Sequence, residues 1–249
     1  MLPRYQSPNY RLIHGDCHDT LNDLKGLEAR LVLTDPPYGK VLKDDWDQSG
    51  HITDQWCKQI KAACTPDASI YVWCGMGEKS RSLVEFIQVL DKHFTFKDLI
   101  TWQKRRGIGM RRGWLYTREE LLWYVVNPKD FVWNKEAQYS DEPNAFKKGM
   151  SGTQVNEKKR ITNVWTDVPE QLKKPLGTHP ADKPIQALKR VIAAHTDPGD
   201  LILDPFCGGG STLIAAMQMG RMGFGIEKDD HWAEYTKTRL EAEWEKSND

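Results

Sequence analysis

The sequence predicts an α/β protein with a mainly parallel sheet, and three observations support this. Residues 201–203 are apolar and lead into Asp-Pro-Phe-Cys-Gly-Gly-Gly-Ser-Thr at 204–212 and then a helical run. Such a strand, glycine turn and helix present backbone N–H groups to a ligand. A second apolar strand, 31–34, stops at Asp-Pro-Pro-Tyr, where two prolines hold the chain rigid. Elsewhere strands alternate with helices, which implies helices on both faces of the sheet.

The other elements follow from periodicity and turn residues, taken along the chain. The first half predicts a strand at Tyr10–His14, a helix at 20–24, a helix at Asp54–Ala63, a strand at 69–74, a helix at 79–91 and strands at 97–102 and 120–126. The second half predicts a polar stretch from 127 to 177, a helix at Ile185–His195, a strand at 222–226 and a helix at 230–245. The last helix should pack near Tyr10–His14, so the two termini should lie close together.

Composition narrows the class of protein without identifying it. The chain has 249 residues, with 35 Lys+Arg and 35 Asp+Glu, so a nucleic-acid surface must come from local clusters. Five cysteines without CxxC spacing indicate reduced thiols and predict a cytoplasmic protein. No apolar run approaches the roughly 20 residues of a membrane span, and no signal peptide is recognisable, so we expect no membrane partner.

Together the two motifs resemble those of the DNA amino-methyltransferases that use S-adenosylmethionine (SAM). That family carries an (Asp/Asn/Ser)-Pro-Pro-(Tyr/Phe/Trp) motif and a Phe-x-Gly-x-Gly motif, and the motif order here is that of its β group. The resemblance implies a Rossmann-like methyltransferase fold with seven strands, one of them antiparallel, and a circularly permuted motif order. It divides the chain into a catalytic half (1–126), a target-recognition region (127–178) and a SAM-binding half (179–249).

The resemblance also implies how the catalytic residues act. Two acceptors on the N–H bonds of a base amine can draw its nitrogen toward sp³ geometry and aim the lone pair at a methyl group. The Asp35 carboxylate and the Pro36 carbonyl suit this role, Pro37 stiffens the turn, and Tyr38 would stack on a flipped base. No cysteine lies in the Pro-Cys motif of cytosine-C5 enzymes, and Cys207 suits a small packed residue.

Cofactor residues are predicted mainly by the motif positions. The candidates are Asp16, Cys17, Lys183, Asp204, Phe206, Cys207, Gly208, Gly210, Ser211, Thr212 and Glu227. An acid one strand beyond a glycine loop can accept hydrogen bonds from both ribose hydroxyls, so Glu227 is read in that way rather than as a surface carboxylate. For Asp16, contact with adenine and a helix cap stay equally open. No metal site is expected.

DNA contacts are expected from local charge between the strands at 97–102 and 120–126. Arg105, Arg106, Arg111 and Arg112 favour phosphate contact over a merely solvated loop. Lys158 and Lys159 in the polar stretch are further candidates. Trp165 fits a family pattern and equally a buried packing anchor.

The sequence thus predicts an enzyme that transfers the methyl group of SAM to adenine N6 in double-stranded DNA. Adenine is preferred because Asp-Pro-Pro-Tyr is the form associated with adenine in the β group. Cytosine N4, an RNA amine and a non-catalytic DNA-binding role are the alternatives. A homodimer and a cognate restriction endonuclease are compatible partners.

Overall fold

A computed structural model describes residues 5–38, 51–77, 80–108, 112, 114–143, 157–170 and 178–248. The strands within this part are β1 (Tyr5–Ser7), β2 (Tyr10–His14), β3 (Ala29–Thr34), β4 (Cys64–Cys74), β5 (Thr95–Ile108), β6 (Tyr116–Val125), β7 (Tyr139–Pro143), β8 (Lys158–Arg160), β9 (Val164–Trp165), β10 (Leu201–Asp204) and β11 (Met222–Glu227). The α-helices are α1 (Cys17–Thr20), α2 (Asp54–Ala63), α3 (Ser82–Leu90), α4 (Ile185–His195), α5 (Ser211–Met217) and α6 (Asp230–Asn248).

The described strands form a large sheet in the order β1-β2-β11-β10-β3-β4-β6-β5-β9, and β7 pairs with β8 separately. The neighbours from β2 to β4 are parallel, whereas β6 is antiparallel to both β4 and β5. Removing the short edge strands β1 and β9 leaves seven strands with one antiparallel. This confirms the predicted fold class.

Helices cover both faces of the sheet, as alternating strands and helices require. On one face, Trp56 and Ile60 of α2 are fully buried with Phe86 of α3. On the other, α4 and α5 pack their apolar sides against β3 and β10. The helix α2 begins where predicted because the Thr53 side chain accepts a hydrogen bond from the Trp56 N–H (3.0 Å).

Strands β3 and β10 lie side by side although they are far apart in sequence. At their carboxyl ends the Thr34 hydroxyl donates to Asp204 Oδ1 (2.7 Å), which ties the two motif strands together. Behind them α6 packs on β2, with Leu240 in the same buried cluster as Tyr10 and Leu12. The first strands and the last helix are therefore neighbours, as predicted.

Several predicted boundaries are wrong, and local capping or pairing explains them. The helix expected at 20–24 is instead α1 followed by a 3-10 turn at Leu21–Leu24, because Asp16 caps the chain earlier. The helix expected at 79–91 begins only at Ser82, and the strand expected at 69–74 begins at Cys64.

The largest error concerns the basic stretch and the polar stretch that follows. Much of the stretch read as a loop between 102 and 120 is strand, since β5 runs to Ile108 and β6 starts at Tyr116. The polar stretch 127–177 also contains regular structure, namely β7, β8, β9 and a 3-10 turn at Lys135–Gln138. Trp165 is buried (5% exposed) and so acts as a packing anchor. Among the described residues, no helix is both long and apolar enough to cross a membrane.

Candidate active site

A cavity of about 770 Å³ lies at the carboxyl ends of β3, β10 and β11. It brings together nearly all residues that the sequence predicts for catalysis and cofactor binding. Those in its wall are Asp16, Cys17, Asp35, Pro36, Pro37, Tyr38, Lys183, Asp204, Phe206, Cys207, Gly208, Ser211, Thr212 and Glu227. Gly210 is the exception, because it lies behind the wall against Thr236.

The glycine loop is held from behind by side chains of α6. The Thr236 hydroxyl donates to the Gly208 carbonyl (2.6 Å), and Arg239 donates to the Gly209 carbonyl (2.7 Å). A Cβ on Gly209 would lie 2.7 Å from His179 Cβ and would also collide with Asp182. Gly210 has φ +77°, a backbone conformation that L side chains rarely adopt. The loop therefore offers its main chain to the cavity in one fixed shape.

The Glu227 carboxylate is fixed at the end of β11 by two main-chain donors. The Gly208 N–H donates to Oε2 and the Asp229 N–H to Oε1, both at 2.8 Å. Burial raises the pKa of Glu227, and these hydrogen bonds oppose that shift. Because each carboxylate oxygen has a further lone pair, the group can still accept bonds from a ligand in the cavity.

Asp16 both caps a helix and lines the cavity. Its Oδ1 accepts from the His18 N–H (2.9 Å), and its Oδ2 pairs with Lys228 (2.9 Å). Burial opposes its charge, but Lys228 and the His18 N–H hold the pKa of Asp16 below its usual value. The cap is thus present, and contact with a ligand is geometrically open as well.

Asp16, Cys17 and His18 also bring potential metal-ligand atoms within 4.8 Å of one another. Burial raises the pKa of the Cys17 thiol, which keeps it protonated and makes it a poor ligand. Burial likewise raises the pKa of Cys207, whose sulfur packs where Gly225 leaves room. Both thiols therefore behave as small apolar groups.

At the Asp-Pro-Pro-Tyr turn, two neighbouring side chains contact the Asp35 carboxylate. The Tyr38 hydroxyl donates to Oδ1 (2.7 Å), and the Lys183 ammonium pairs with Oδ2. Burial raises the pKa of Asp35, and the charge of Lys183 opposes that shift. Tyr38 is therefore a partner of Asp35 here, and its ring also lies 5.6 Å from Lys183 Nζ.

Sequence reasoning missed the rest of this charged group. Lys183 Nζ also lies 3.3 Å from Glu119 Oε2, and Glu119 pairs in turn with Lys104. Burial opposes the charge of Glu119, but the two lysines hold its pKa below the usual value. Two carboxylates and two ammonium groups thus alternate along one wall and cancel in charge.

Aromatic side chains complete that wall, and sequence reasoning missed them too. Trp73 and Trp102 line the cavity and contact each other edge to face, with ring centroids 6.2 Å apart. Lys183 lies 5.4 Å from the Trp73 ring, and Lys104 lies 5.4 Å from that of Trp102. Trp73 Nε1 is buried without a hydrogen-bond acceptor in the described part of the chain. Both rings are buried, at 1% exposed for Trp73 and 4% for Trp102, so they form the apolar backing of the charged wall.

Asp204 ends β10 and lies between the glycine loop and the Asp-Pro-Pro-Tyr turn. Its Oδ1 accepts from the Thr34 hydroxyl (2.7 Å) and the Phe206 N–H (3.2 Å). Burial raises the pKa of Asp204 to about 7, against hydrogen bonds from Thr212 and Thr34 that lower it. The carboxyl thus changes charge near neutral pH.

The four candidate DNA contacts whose side chains the structure describes lie outside the cavity, on exposed surface. Arg105 is exposed on β5, and Arg112 is exposed between β5 and β6. The side chain of Arg106 and the whole of Arg111 fall outside the described residues. Lys158 and Lys159 are exposed on β8, where Lys158 lies 3.6 Å from Asp141.

Fold and cavity together define the class, an α/β protein of methyltransferase architecture. A family model described as DNA methylase, for N6 and N4 enzymes, matches residues 29–238. The chain therefore belongs to this family of site-specific DNA methyltransferases.

Individual relatives agree with this assignment over nearly the full length. The DNA adenine methyltransferase YhdJ of Escherichia coli strain K12 is 28% identical, covering 96% of this chain and 85% of its own. The crystal structure of an M1.HpyAVI–SAM complex is 23% identical with a TM-score of 0.68, covering 93% of this chain and 98% of its own. The PvuII cytosine-N4-specific DNA methyltransferase is 14% identical with a TM-score of 0.70, covering 98% and 94%. The two structures show the shared fold.

Proposed function

We propose that this protein transfers the methyl group of SAM to the N6 amine of an adenine in double-stranded DNA. The observation that carries the proposal is that the Asp-Pro-Pro-Tyr turn and the glycine loop open on one cavity. The hydrogen bond between Thr34 and Asp204 holds the two motif strands in register. A methyl donor on one side would thus face an amine held on the other.

The cofactor side of the cavity fits SAM. The main chain of Gly208 and Gly209 lines the cavity, and α5 begins directly after the loop. Glu227 is proposed to accept hydrogen bonds from the ribose hydroxyls, and the two N–H groups that orient its carboxylate support this role. SAM, when bound, supplies an electrophilic methyl group.

On the other side, two acceptors would orient the target amine. The Asp35 carboxylate and the Pro36 carbonyl are proposed to accept its two N–H bonds. The flipped base would stack on the Tyr38 ring, which packs against the buried cluster that contains Trp73 and Trp102. Asp35 is the stronger acceptor when it is ionised. The Lys183 ammonium that now pairs with it has a second carboxylate, Glu119, to which it can shift as the base enters.

Adenine is proposed over cytosine on the form of the motif, Asp-Pro-Pro-Tyr, and one relative named above is an adenine methyltransferase. The aromatic wall and the acceptors would serve cytosine N4 equally well, and an RNA amine would meet the same groups. Cytosine N4 is thus the second candidate, favoured by the fold shared with a cytosine-N4 enzyme.

A direct assay tests these points together. The purified protein is incubated with labelled SAM and with duplex DNA, single-stranded DNA or RNA, and the product is digested to nucleosides for mass spectrometry. We expect N6-methyladenine from duplex DNA. N4-methylcytosine alone would contradict the base assignment, label in RNA alone would contradict the substrate, and no transfer would contradict the activity. Sedimentation of the same sample tests for a homodimer.

A further inference from the structure

The β5–β6 hairpin exposes two large apolar side chains next to one another. Trp114 is 97% exposed and Leu115 66% exposed, and no other large apolar side chain in the described part exceeds 49%. Exposed arginines, Arg105 and Arg112, accompany them. A tryptophan left almost wholly in water, among positive charges, indicates a surface that is covered only when a partner binds.

The same hairpin forms part of the active-site wall at its base. Trp102 and Glu119, which line the cavity, are directly paired across the two strands, and Lys104 bonds to Glu119. Beyond Lys104 the strand β5 continues to Ile108, a rise of roughly 13 Å. The exposed apolar pair thus stands on a direct extension of the cavity wall.

We infer that Trp114 and Leu115 form a wedge that enters the DNA duplex and occupies the space left by the flipped target base. This rests on the proposed function, because a base must leave the stack to reach the cavity. Other DNA-binding proteins insert apolar side chains between base steps, which partly unstacks the steps and bends the duplex. The arginines beside the wedge would hold the adjacent phosphates, which is why DNA fits this surface better than an apolar protein partner.

The test begins with the wild-type protein. Sequencing of DNA methylated by it identifies the recognition site, and absence of any methylation would contradict the proposed function rather than the wedge. Two duplexes are then compared, one with the target base paired and one with it opposite a mismatch. A mismatched base already lies partly out of the stack, so it needs less help to flip.

We expect Trp114→Ala to lower kcat/KM about tenfold on the paired duplex, the scale of one lost base–aromatic stack. On the mismatched duplex, activity should return close to the wild-type value. Trp114→Phe keeps an aromatic wedge and should stay active on both. Phe96→Ala, an exposed aromatic (46%) at the opposite end of β5, is the matched control and should not discriminate between the duplexes.

Arg112→Gln separates the wedge from simple charge attraction. It should weaken binding to both duplexes alike and reduce the salt dependence by about 0.9 per lost phosphate contact. The wedge is contradicted if Trp114→Ala leaves the paired duplex unaffected, or if both duplexes lose activity equally. Unchanged methylation together with lost self-association in sedimentation would assign the surface to a second copy of the chain instead.

Discussion

The two sides of the cavity are built in different ways. On the side proposed to bind SAM (the cofactor side), hydrogen bonds to Glu227, Thr236 and Arg239 hold the main chain of the glycine loop. On the side proposed to orient the target amine (the acceptor side), the side chains of Asp35 and Lys183 form an ion pair. Lys183 also lies beside a second carboxylate, that of Glu119. One side is therefore fixed by backbone geometry, whereas the other holds ion pairs that can exchange partners.

This difference separates binding from rearrangement. A site made of bonded main chain is preorganised and loses little entropy when a ligand enters. A buried ammonium must keep a carboxylate partner, so if an entering base displaces Lys183 from Asp35, the lysine stays paired with Glu119. Substitutions on the cofactor side should therefore lower the affinity for SAM, whereas substitutions on the acceptor side should lower the rate of methyl transfer.

The largest effect is expected on the acceptor side. Asp35→Ala removes the proposed acceptor of the amine and should lower methyl transfer at least about 100-fold, the scale of losing one oriented group for the transition state. Lys183 keeps Glu119, so the melting temperature should change less than the activity. Asp167→Ala, which breaks an exposed pair with Arg190, is the control. Turnover near the wild-type rate would remove Asp35 from the mechanism.

The next effect concerns Asp204, where the two sides meet. Because its pKa is raised to about 7, the folded chain holds the proton to higher pH than the unfolded chain, whose ordinary value is 3.8. Its contribution to stability is thus highest below pH about 4 and falls as the pH rises to about 7, by up to about 4 kcal/mol for three pKa units. Urea unfolding of wild type and Asp204→Asn across this range should show the variant gaining relative stability with pH. A constant difference would mean that Asp204 is already ionised throughout.

A smaller effect is expected when the shape of the cofactor side is changed. Gly209→Ala places a methyl group against His179 and Asp182, so the loop must shift, and SAM affinity should fall more than tenfold. Gly77→Ala meets only an ordinary contact at 4.0 Å from Tyr116 and serves as the control. Calorimetry with SAM decides, and equal affinities for Gly209→Ala and wild type would show that the loop is not rigid.

The smallest effect is expected for Glu227→Gln. The substitution keeps one side-chain oxygen but replaces the other with an amide nitrogen, which faces the Gly208 or Asp229 N–H. Loss of a charged acceptor should lower SAM affinity about tenfold, with little change in kcat. A matched change at an exposed carboxylate of α6, Glu241→Gln, should leave the affinity intact. An unchanged affinity in Glu227→Gln would contradict the ribose assignment.

The sequence predicts the cofactor side well because its signal is local. Strand, glycine turn and helix are contiguous from 201 to 217, and Glu227 follows at the end of the next strand. Asp35 is likewise marked by its two prolines. Glycine and proline determine the local backbone conformation, so a few neighbouring residues are enough to predict these features.

The acceptor wall escaped prediction because pairing between distant strands creates it. Glu119 reaches the cavity only through its register opposite Trp102, and Trp73 looks like any apolar strand residue. Residues 104–108 lack the alternation of apolar and polar residues that marks a strand, so the sequence did not predict that β5 extends to Ile108. The charge-rich end of β5 is a strand because it pairs with β6, and a short window of sequence does not show which strand it pairs with.

One short segment, residues 179–183, contacts both sides of the cavity. His179 packs on Gly208 at one end, and Lys183 pairs with Asp35 at the other. The proposed positions of the cofactor and the target base are therefore connected through five residues. By thermodynamic linkage, whatever factor SAM contributes to affinity for DNA, DNA must contribute to affinity for SAM. Measuring either dissociation constant with and without the second ligand gives the coupling free energy between SAM and DNA, and a Lys183→Met variant shows how much of it depends on the lysine.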